Sequence, residues 1–439
     1  MQLKSLLNRV HPVKRFVYEK MQLVEETEQP NGVHLEAQVR PRQGSRGICG
    51  GCGRPGPGYD RLDDRRFAFV PVWGIAVTLI YAMRRINCQC CGKVQVERVP
   101  WAEGKRPITR AYECFLANWA KRMSWSEVSS AFWVSWECVF RSVQTVVEYG
   151  LAHRDLTGIK AIGVDEVAYS KGHRYATLVY QLDGHSRRLL HVAEGRASRS
   201  LLTFFRMLKK AKIDARQSIR FVCSDMWKAY LKVIKKKLPD ALHILDRYHI
   251  VANLNKALDE VRADEARQLK SDGWSILKRS RWLLLRHRKN LSGKQRYRLR
   301  NILQWDLRTV RAYLLKESLN ALWEYKSPTY AGRCLDAWCR HAMRSRLEPM
   351  KKVAHSLRNH RELILNWFGA RRQYNSGVVE GMNALVKLRF RKAFGFRTFD
   401  AIEVTLYHQL GALPEPEIAH RVRTHSVNPC PYRPARPGS

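Results

Sequence analysis

The chain has 439 residues, 45% of them hydrophobic, with 79 Lys and Arg against 39 Asp and Glu and a formal charge of +40. That length allows two to four domains with cores of their own, and that hydrophobic share excludes a disordered chain. A charge so far from zero repels itself in the free protein, so a polyanionic partner is expected. Nucleic acid is favoured over an anionic membrane, because each neutralised phosphate releases counterions. The N-terminal text has no apolar h-region, and no run approaches the ~20 apolar residues of a membrane span. A cytoplasmic, nucleoid-associated protein with no membrane partner is therefore expected. Eleven cysteines without an export signal favour reduced thiols and a metal site over a disulfide framework.

In chain order, residues 1–29 form an N-terminal segment with no assigned element. Residues 33–39 alternate apolar and polar after the turn signal Pro30-Asn31-Gly32, as a half-buried strand does. Residues 65–87, rich in β-branched and aromatic side chains around Gly74, predict two strands and a turn. On either side of that pair lie Cys49-x-x-Cys52 and Cys88-x-x-Cys91. Two such knuckles supply the four soft ligands of a structural Zn²⁺, with free thiols in turns as the alternative. Cys90 stays open as a substitute for Cys91.

Residues 106–150 predict three helices. Thr109 begins the first stretch, Ser124 with Glu127 forms a capping box for the second, and Ser135 caps the third. That pattern fits a DNA-binding helix-turn-helix, favoured by the overall charge over a plain small helical bundle. Strands follow at 161–167, 175–182, 188–193, 219–224 and 241–246, with helices at about 199–211 and 227–237. Three strands and then helix-strand-helix-strand is the layout of a mixed sheet packed by helices.

From His249 to about Trp367 only helices are predicted. Residues 255–365 carry 26 Lys and Arg against 11 Asp and Glu, and residues 249–367 include six tryptophans. A helix at 378–392, a turn at Gly395, and another helix to about Gly411 complete the pattern. Beyond Pro414 the text reads as a disordered basic tail.

Three carboxylates draw the chemistry together. Asp165 ends the apolar strand AIGVD, Asp225 follows FVCSD, and Glu380 opens a helix after Asn375-Ser376-Gly377. A carboxylate at the end of a buried strand is costly unless paired or bound to a cation. Three together offer hard oxygen ligands for two Mg²⁺ ions, the arrangement used for in-line phosphoryl transfer. Glu166 points away from the Asp165 face by strand alternation. Asn383, Lys387 and Arg391 share the Glu380 face by helical spacing. With Arg389 and Lys392 they are the expected DNA-contacting residues, against the alternative of a solvated basic face. Asp246-Arg247-Tyr248-His249 forms a further polar cluster, in which His249 is either a phosphate-orienting or a capping residue.

Together these stretches resemble the bacterial insertion-sequence transposases of the ISL-three family. The likeness runs from about Cys49 to Gly411 and rests on CGGCG, RRINCQCCGKVQVERVPWAEG, MSWSEVSSAFWVSWECV, AIGVDEVAYSKGHRYATLVYQLD, VCSDMWKAY, DRYHIV and NSGVVEGMNALVKLRFRKAFGFRTF. It implies a zinc ribbon (30–105), a helix-turn-helix (106–155), and a ribonuclease H-like α/β core (156–255 and 368–411) interrupted by a helical insertion (256–367), with residues 412–439 as the tail. It implies catalytic roles for Asp165, Asp225 and Glu380. The expected activity is Mg²⁺-dependent cleavage and joining of double-stranded DNA at element ends and target, by a homodimer or larger assembly on DNA. A catalytically silent DNA-binding regulator and a nuclease without strand transfer are the alternatives. The third cysteine of the second knuckle and the bulky Phe132-Trp133 at the expected helix-turn-helix break depart from the family pattern.

Overall fold

The structure, a computed structural model, describes residues 3–25, 32–170, 172–184, 186–370, 377–393 and 395–417. The turn positions Pro30, Asn31, Asn375 and Ser376, and the tail beyond 417, lie outside the described residues. The chain divides into two compact units, residues 1–154 with 407–409 and 413–439, and residues 155–406 with 410–412.

The first unit begins with α1 (Leu3–Val10), β1 (Phe16–Glu25), β2 (Val33–Pro41), the short pair β3 (Gly47–Ile48) and β4 (Pro55–Gly56), β5 (Gly58–Val72), β6 (Ile75–Cys88) and β7 (Lys93–Val96). Its main sheet runs β1-β2-β6-β5, with β7 also paired to β6. β1 falls in the segment given no element from sequence, yet it pairs with β2 from Phe16↔Pro41 to Glu25↔Val33. A register shift between Tyr18 and Lys20 explains why it was hidden, because a bulge breaks the alternation that marks a strand. The β5–β6 hairpin closes on Trp73 and Gly74, both at positive φ (52° and 80°), as a two-residue hairpin turn requires. Phe67, Phe69, Leu79 and Tyr81 of that hairpin pack with Phe16 and Trp101 in one core.

Helices α2 (Arg110–Ala120), α3 (Trp125–Phe132) and α4 (Trp136–His153) complete this unit's main body. Thr109, Ser124 and Ser135 are their N-caps, and the Ser124–Glu127 capping box is present. Bulky Trp133 closes α3 in the left-handed conformation at φ 52°. Ser129 sustains that strained turn, its hydroxyl donating to the Val134 carbonyl at 2.6 Å.

The second unit opens with β8 (Ala161–Ser170), β9 (Arg174–Gln181), β10 (Arg188–Glu194), α5 (Ser198–Lys210), α6 (Ala215–Ser218), β11 (Phe221–Ser224), α7 (Lys228–Lys237) and β12 (Leu242–Leu245). The sheet order is β10-β9-β8-β11-β12. β9 is antiparallel to both neighbours, while β8, β11 and β12 run parallel. Ile162 and Val164 of β8 turn one face toward Phe204 of α5 and Tyr230 of α7.

Helices α8 (Arg247–Ser271), α9 (Arg281–Leu285), α10 (Gly293–Leu303), α11 (Arg308–Asn320), α12 (Pro328–Arg344), α13 (Glu348–Asn359) and α14 (Arg361–Gly369) follow. Their core contains Trp323, Trp338 and Trp367 and runs on into Ile244 and Leu245 of β12. The helical region thus starts directly after β12 and buries apolar side chains of that edge strand, a liability if uncovered. No described helix is long and apolar enough to cross a membrane. The described elements end with α15 (Gly377–Lys392) and α16 (Phe399–Leu410).

Candidate active site and metal centre

Two hairpin turns build a thiolate cluster in the first unit. Cys49 and Cys52 lie in the turn between β3 and β4, while Cys88 ends β6 and Cys91 lies in the turn that leads to β7. Gly53 and Gly92, both at positive φ, let each knuckle fold back, so that the Gly53 amide donates to the Cys49 carbonyl and the Gly92 amide to the Cys88 carbonyl. The four sulfurs lie within 4.8 Å of one another, with Cys49–Cys91 at 3.8 Å and Cys52–Cys88 at 3.5 Å. Cys91 is the fourth member, and Cys90 is exposed outside the group. Backbone amides of Cys52 and Gly51 hold the Cys49 thiol down to about 7, while its sulfur neighbours push Cys91 up to about 12. Four sulfurs this close cannot all ionise without a cation among them, and a set of four thiolates suits Zn²⁺.

In the second unit the carboxylates collect where the parallel strands end. The last β8–β11 pair is Val164↔Ser224, and the last β11–β12 pair is Ser224↔Leu245. Asp165, Asp225 and Asp246 are therefore the next residues along three neighbouring strands. Asp165 does not end its strand, as the sequence reading had it. β8 continues to Ser170 paired with β9 alone, and Asp165 is its first residue past the β11 partner. Burial pushes the Asp225 carboxyl above its usual range against the Trp227 amide that donates to it, and Asp165 adds to the rise. Glu166 belongs to the Ile162–Val164 face, as strand alternation requires, and burial followed by the Asp225 and Asp165 charges raises it to about 7.

Helix α15 packs on the Asp165 face. A side chain at Gly163 would meet Val379 Cγ2 at 2.6 Å, so the missing Cβ is what lets the helix approach β8. The packed side of α15 is Val379, Asn383 and Val386, and the Asn383 amide donates to Asp165 while its oxygen accepts from Tyr180 Oη at 2.7 Å. Asn383, expected among the DNA-contacting residues, is thus buried and holds a carboxylate. Glu380, Lys387 and Arg391 are exposed on the same helix, and Arg389 and Lys392 are half-buried. Glu380 lies one helical turn before Asn383, about 4.5 Å along the axis. Among the described residues, the cysteine cluster is the one group of three or more potential ligands whose atoms lie within 4.8 Å of one another. Asp165, Asp225 and Glu380 do not converge that closely.

Asp246 stood out in sequence only as part of a polar cluster at a strand end and was not counted with Asp165 and Asp225, although the signal was present. AIGVD, FVCSD and ALHILD are three apolar strands that each run into an Asp. Asp246 is 4% exposed and caps α8, its carboxylate accepting from the Tyr248 amide at 2.7 Å. The cap is therefore Asp246, and His249 stands between carboxylates instead, its Nε2 3.9 Å from Asp165 and 3.8 Å from Asp246. Asp165 above all raises His249 to about 9, against its burial.

Known proteins match the sequence over most of its length. A family model described as transposase matches residues 162–406, which takes in Asp165, Asp225 and Glu380. The transposase for insertion sequence element IS1001 of Bordetella parapertussis is 31% identical over 353 residues, covering 80% of this chain and 85% of that protein. The transposase for insertion sequence element IS1557 of Mycobacterium tuberculosis is 30% identical over 414 residues, covering 89% and 91% respectively. The Drosophila P element transposase strand transfer complex covers 73% of this chain and 93% of its own at 11% identity, but its TM-score of 0.38 carries no weight here. With a family match over more than half its length and relatives at these identities, the chain belongs to the ISL-three family of insertion-sequence transposases and is a DNA transposase.

Proposed function

We propose that Asp165, Asp225 and Glu380 form the catalytic metal site of this transposase, holding two Mg²⁺ ions at the ends of an insertion sequence. The observation that carries this reading is the row of Asp165 and Asp225 at the end of parallel pairing, with the Glu380 helix fastened to Asp165 through Asn383. Neighbouring carboxylates partly out of water repel one another, and divalent cations on their oxygens offset that repulsion. Such ions, when bound, activate the attacking oxygen and stabilise the leaving one. In the first step a water oxygen attacks the phosphorus at the element end, the P–O3′ bond breaks, and a 3′-OH is released. That 3′-OH then attacks a target phosphodiester, forming a new P–O3′ bond as the target's own 3′ oxygen departs. Asn383 and Tyr180 keep Asp165 in one rotamer throughout, which spares the site reorganisation.

The sheet order β10-β9-β8-β11-β12, with one antiparallel arm and three parallel strands, supports a ribonuclease H-like core. Its helical region follows β12 and precedes α15. The thiolate cluster is assigned a structural Zn²⁺, since four protein ligands leave no open position for water. Helices α2–α4 are assigned to recognition of the terminal inverted repeats. Exposed Lys387 and Arg391, with Arg389 and Lys392, are assigned to backbone phosphates beside the scissile bond, which positions DNA without reading its sequence. Cutting two ends together calls for at least a dimer on DNA.

The test uses purified protein, labelled element-end duplex and Mg²⁺, scored for binding, nicking and joining. Asp165→Asn, Asp225→Asn and Glu380→Gln should each bind ends normally and lose both nicking and joining by about 1,000-fold or more. Wild-type rates in any one variant would remove that residue from the metal site.

A further inference from the structure

No acidic residue falls between Asp272 and Asp306, while ten Lys and Arg fall between Lys278 and Arg300. All ten are exposed. Among the described residues only Arg281 of the ten has a carboxylate partner, Asp259 at 2.9 Å. The segment nevertheless has a small core of Leu277, Leu283 and Ile302, shared with Leu307 and Val310. Its large aromatics do not fill that core. Trp274, Trp282, Tyr297 and Trp305 are 55%, 60%, 66% and 45% exposed, whereas Trp323, Trp338 and Trp367 of the same helical region are buried. Trp274 and Trp305 stand together with ring centroids 6.0 Å apart, and the Arg281 guanidinium lies over Trp282 at 5.2 Å.

Tryptophan is ordinarily well buried, so three exposed in one acid-free segment need a partner that takes both rings and cations. A DNA duplex meets the cations but keeps its base faces stacked inside. A second copy of this chain would bring a further +40 against this surface. Single-stranded DNA supplies phosphates and open base faces at once, and stacking of bases on aromatic rings within a basic field is how such strands are held.

We infer that residues 273–305 form a binding surface for single-stranded DNA, the kind of strand exposed beside a cut element end. This rests on the chain acting on DNA and is independent of which residues hold the metal. The cations carry affinity and salt dependence, and the rings distinguish unpaired from paired strands.

The test is fluorescence anisotropy of the full-length protein with a labelled oligothymidylate and with element-end duplex. Trp274→Ala with Trp305→Ala, and Trp282→Ala separately, should each weaken oligothymidylate binding about tenfold and leave duplex binding unchanged. Phe at the same positions should restore most of the loss, which a mere folding defect would not allow. Arg286→Glu with Arg288→Glu should weaken both ligands and flatten the salt slope. Wild-type oligothymidylate affinity in the Ala variants, or equal loss on both DNAs, would overturn the inference. So would a change in sedimentation of the Ala variants without a change in DNA binding, the mark of a contact between copies. Asp225→Asn serves as the separate control: it should bind oligothymidylate normally whether or not it cuts.

Discussion

The thiolate cluster and the proposed carboxylate site are two answers to the same task of gathering like-charged groups. The four cysteines come from two hairpin turns within 43 residues and already stand within 4.8 Å. Each pair is set by its own knuckle, with a positive-φ glycine just after it. The carboxylates come from positions 165, 225 and 380, on a mid-strand position, a strand end and a helix that returns after a long helical excursion. No local turn can bring these together. Their juxtaposition depends on one helix lying close to one strand, and that closeness rests on Gly163 beneath Val379 and on Asn383 against Asp165. A site closed by turns resists disturbance elsewhere, whereas a site closed by docking is exposed to every change at the docking face.

The sharpest way to break this contrast is at Gly163, which bears no charge and lies two residues before Asp165 on β8. Gly163→Ala puts a Cβ 2.6 Å from Val379 Cγ2, so Val379 must give way, and a shift of its helix would move Glu380 with it. Cleavage should fall about 100-fold with the fold kept, since small misplacements of reacting groups cost that much. Val379→Ala in the same chain should recover most of the loss, a coupling that a double-mutant cycle measures. Asn383→Ala, which removes the tether to Asp165 and the acceptor of the Tyr180 hydroxyl, should cost about tenfold. If Gly163→Ala cuts at the wild-type rate, docking of α15 does not control the carboxylates.

The converse experiment acts on the turn-built group. Cys49→Ser should release zinc, seen as loss of about one metal per chain, and lower the Tm of the first unit by roughly 10 °C. Cleavage of a pre-nicked substrate should stay within a few-fold of normal. A full loss of cleavage by a variant that remains folded would show the thiolate group is more than a local brace.

The smallest effect asks whether acid lability in the first unit lies outside the thiolates. His408 on α16 is buried, neither ring nitrogen has a hydrogen-bond partner among the described residues, and burial with Lys121 nearby lowers it to about 3. A folded-state value depressed below the usual 6.5 adds no penalty above pH 6.5. As pH falls from 6.5 toward 3, the unfolded chain takes up the proton that the folded one refuses. Stability should then drop by about 1.4 kcal/mol per pH unit from this group. His408→Leu should flatten that slope in thermal melts between pH 6.5 and 4. An unchanged slope would assign the acid lability to the thiolates or other groups.

Much of the site was legible because its parts obey local rules. FVCSD runs from a buried strand directly into Asp225, and Ser124-x-x-Glu127 forms the capping box its spacing announces. Asp165 was legible as a residue but not as a mid-strand one, because a strand's length depends on which neighbours outlast it. Asp246 was seen in a polar cluster but not placed in the row with Asp165 and Asp225, although its strand repeats their pattern, since a row across strands exists only once the register is known. Asn383 looked like a surface cation's neighbour by helical spacing, which gives the angle around a helix but not the side that packs. The six tryptophans were indistinguishable in the text, and packing divided them into three buried and three exposed.

By itself the sequence determined most of the longer strands and helices after residue 30, though not α1 or β1 before it, where caps and knuckles fall, and that the chain seeks a polyanion. Hydrophobic period, capping chemistry and net charge act over a few residues or over the whole chain without regard to its path. Tertiary structure alone decided that Asp165, Asp225 and Asp246 form one row, that Asn383 faces inward, and that Cys91 rather than Cys90 completes the thiolates. These depend on strand register, on the close approach allowed at one glycine, and on which side of a turn points inward, and each is settled by packing between segments distant in sequence.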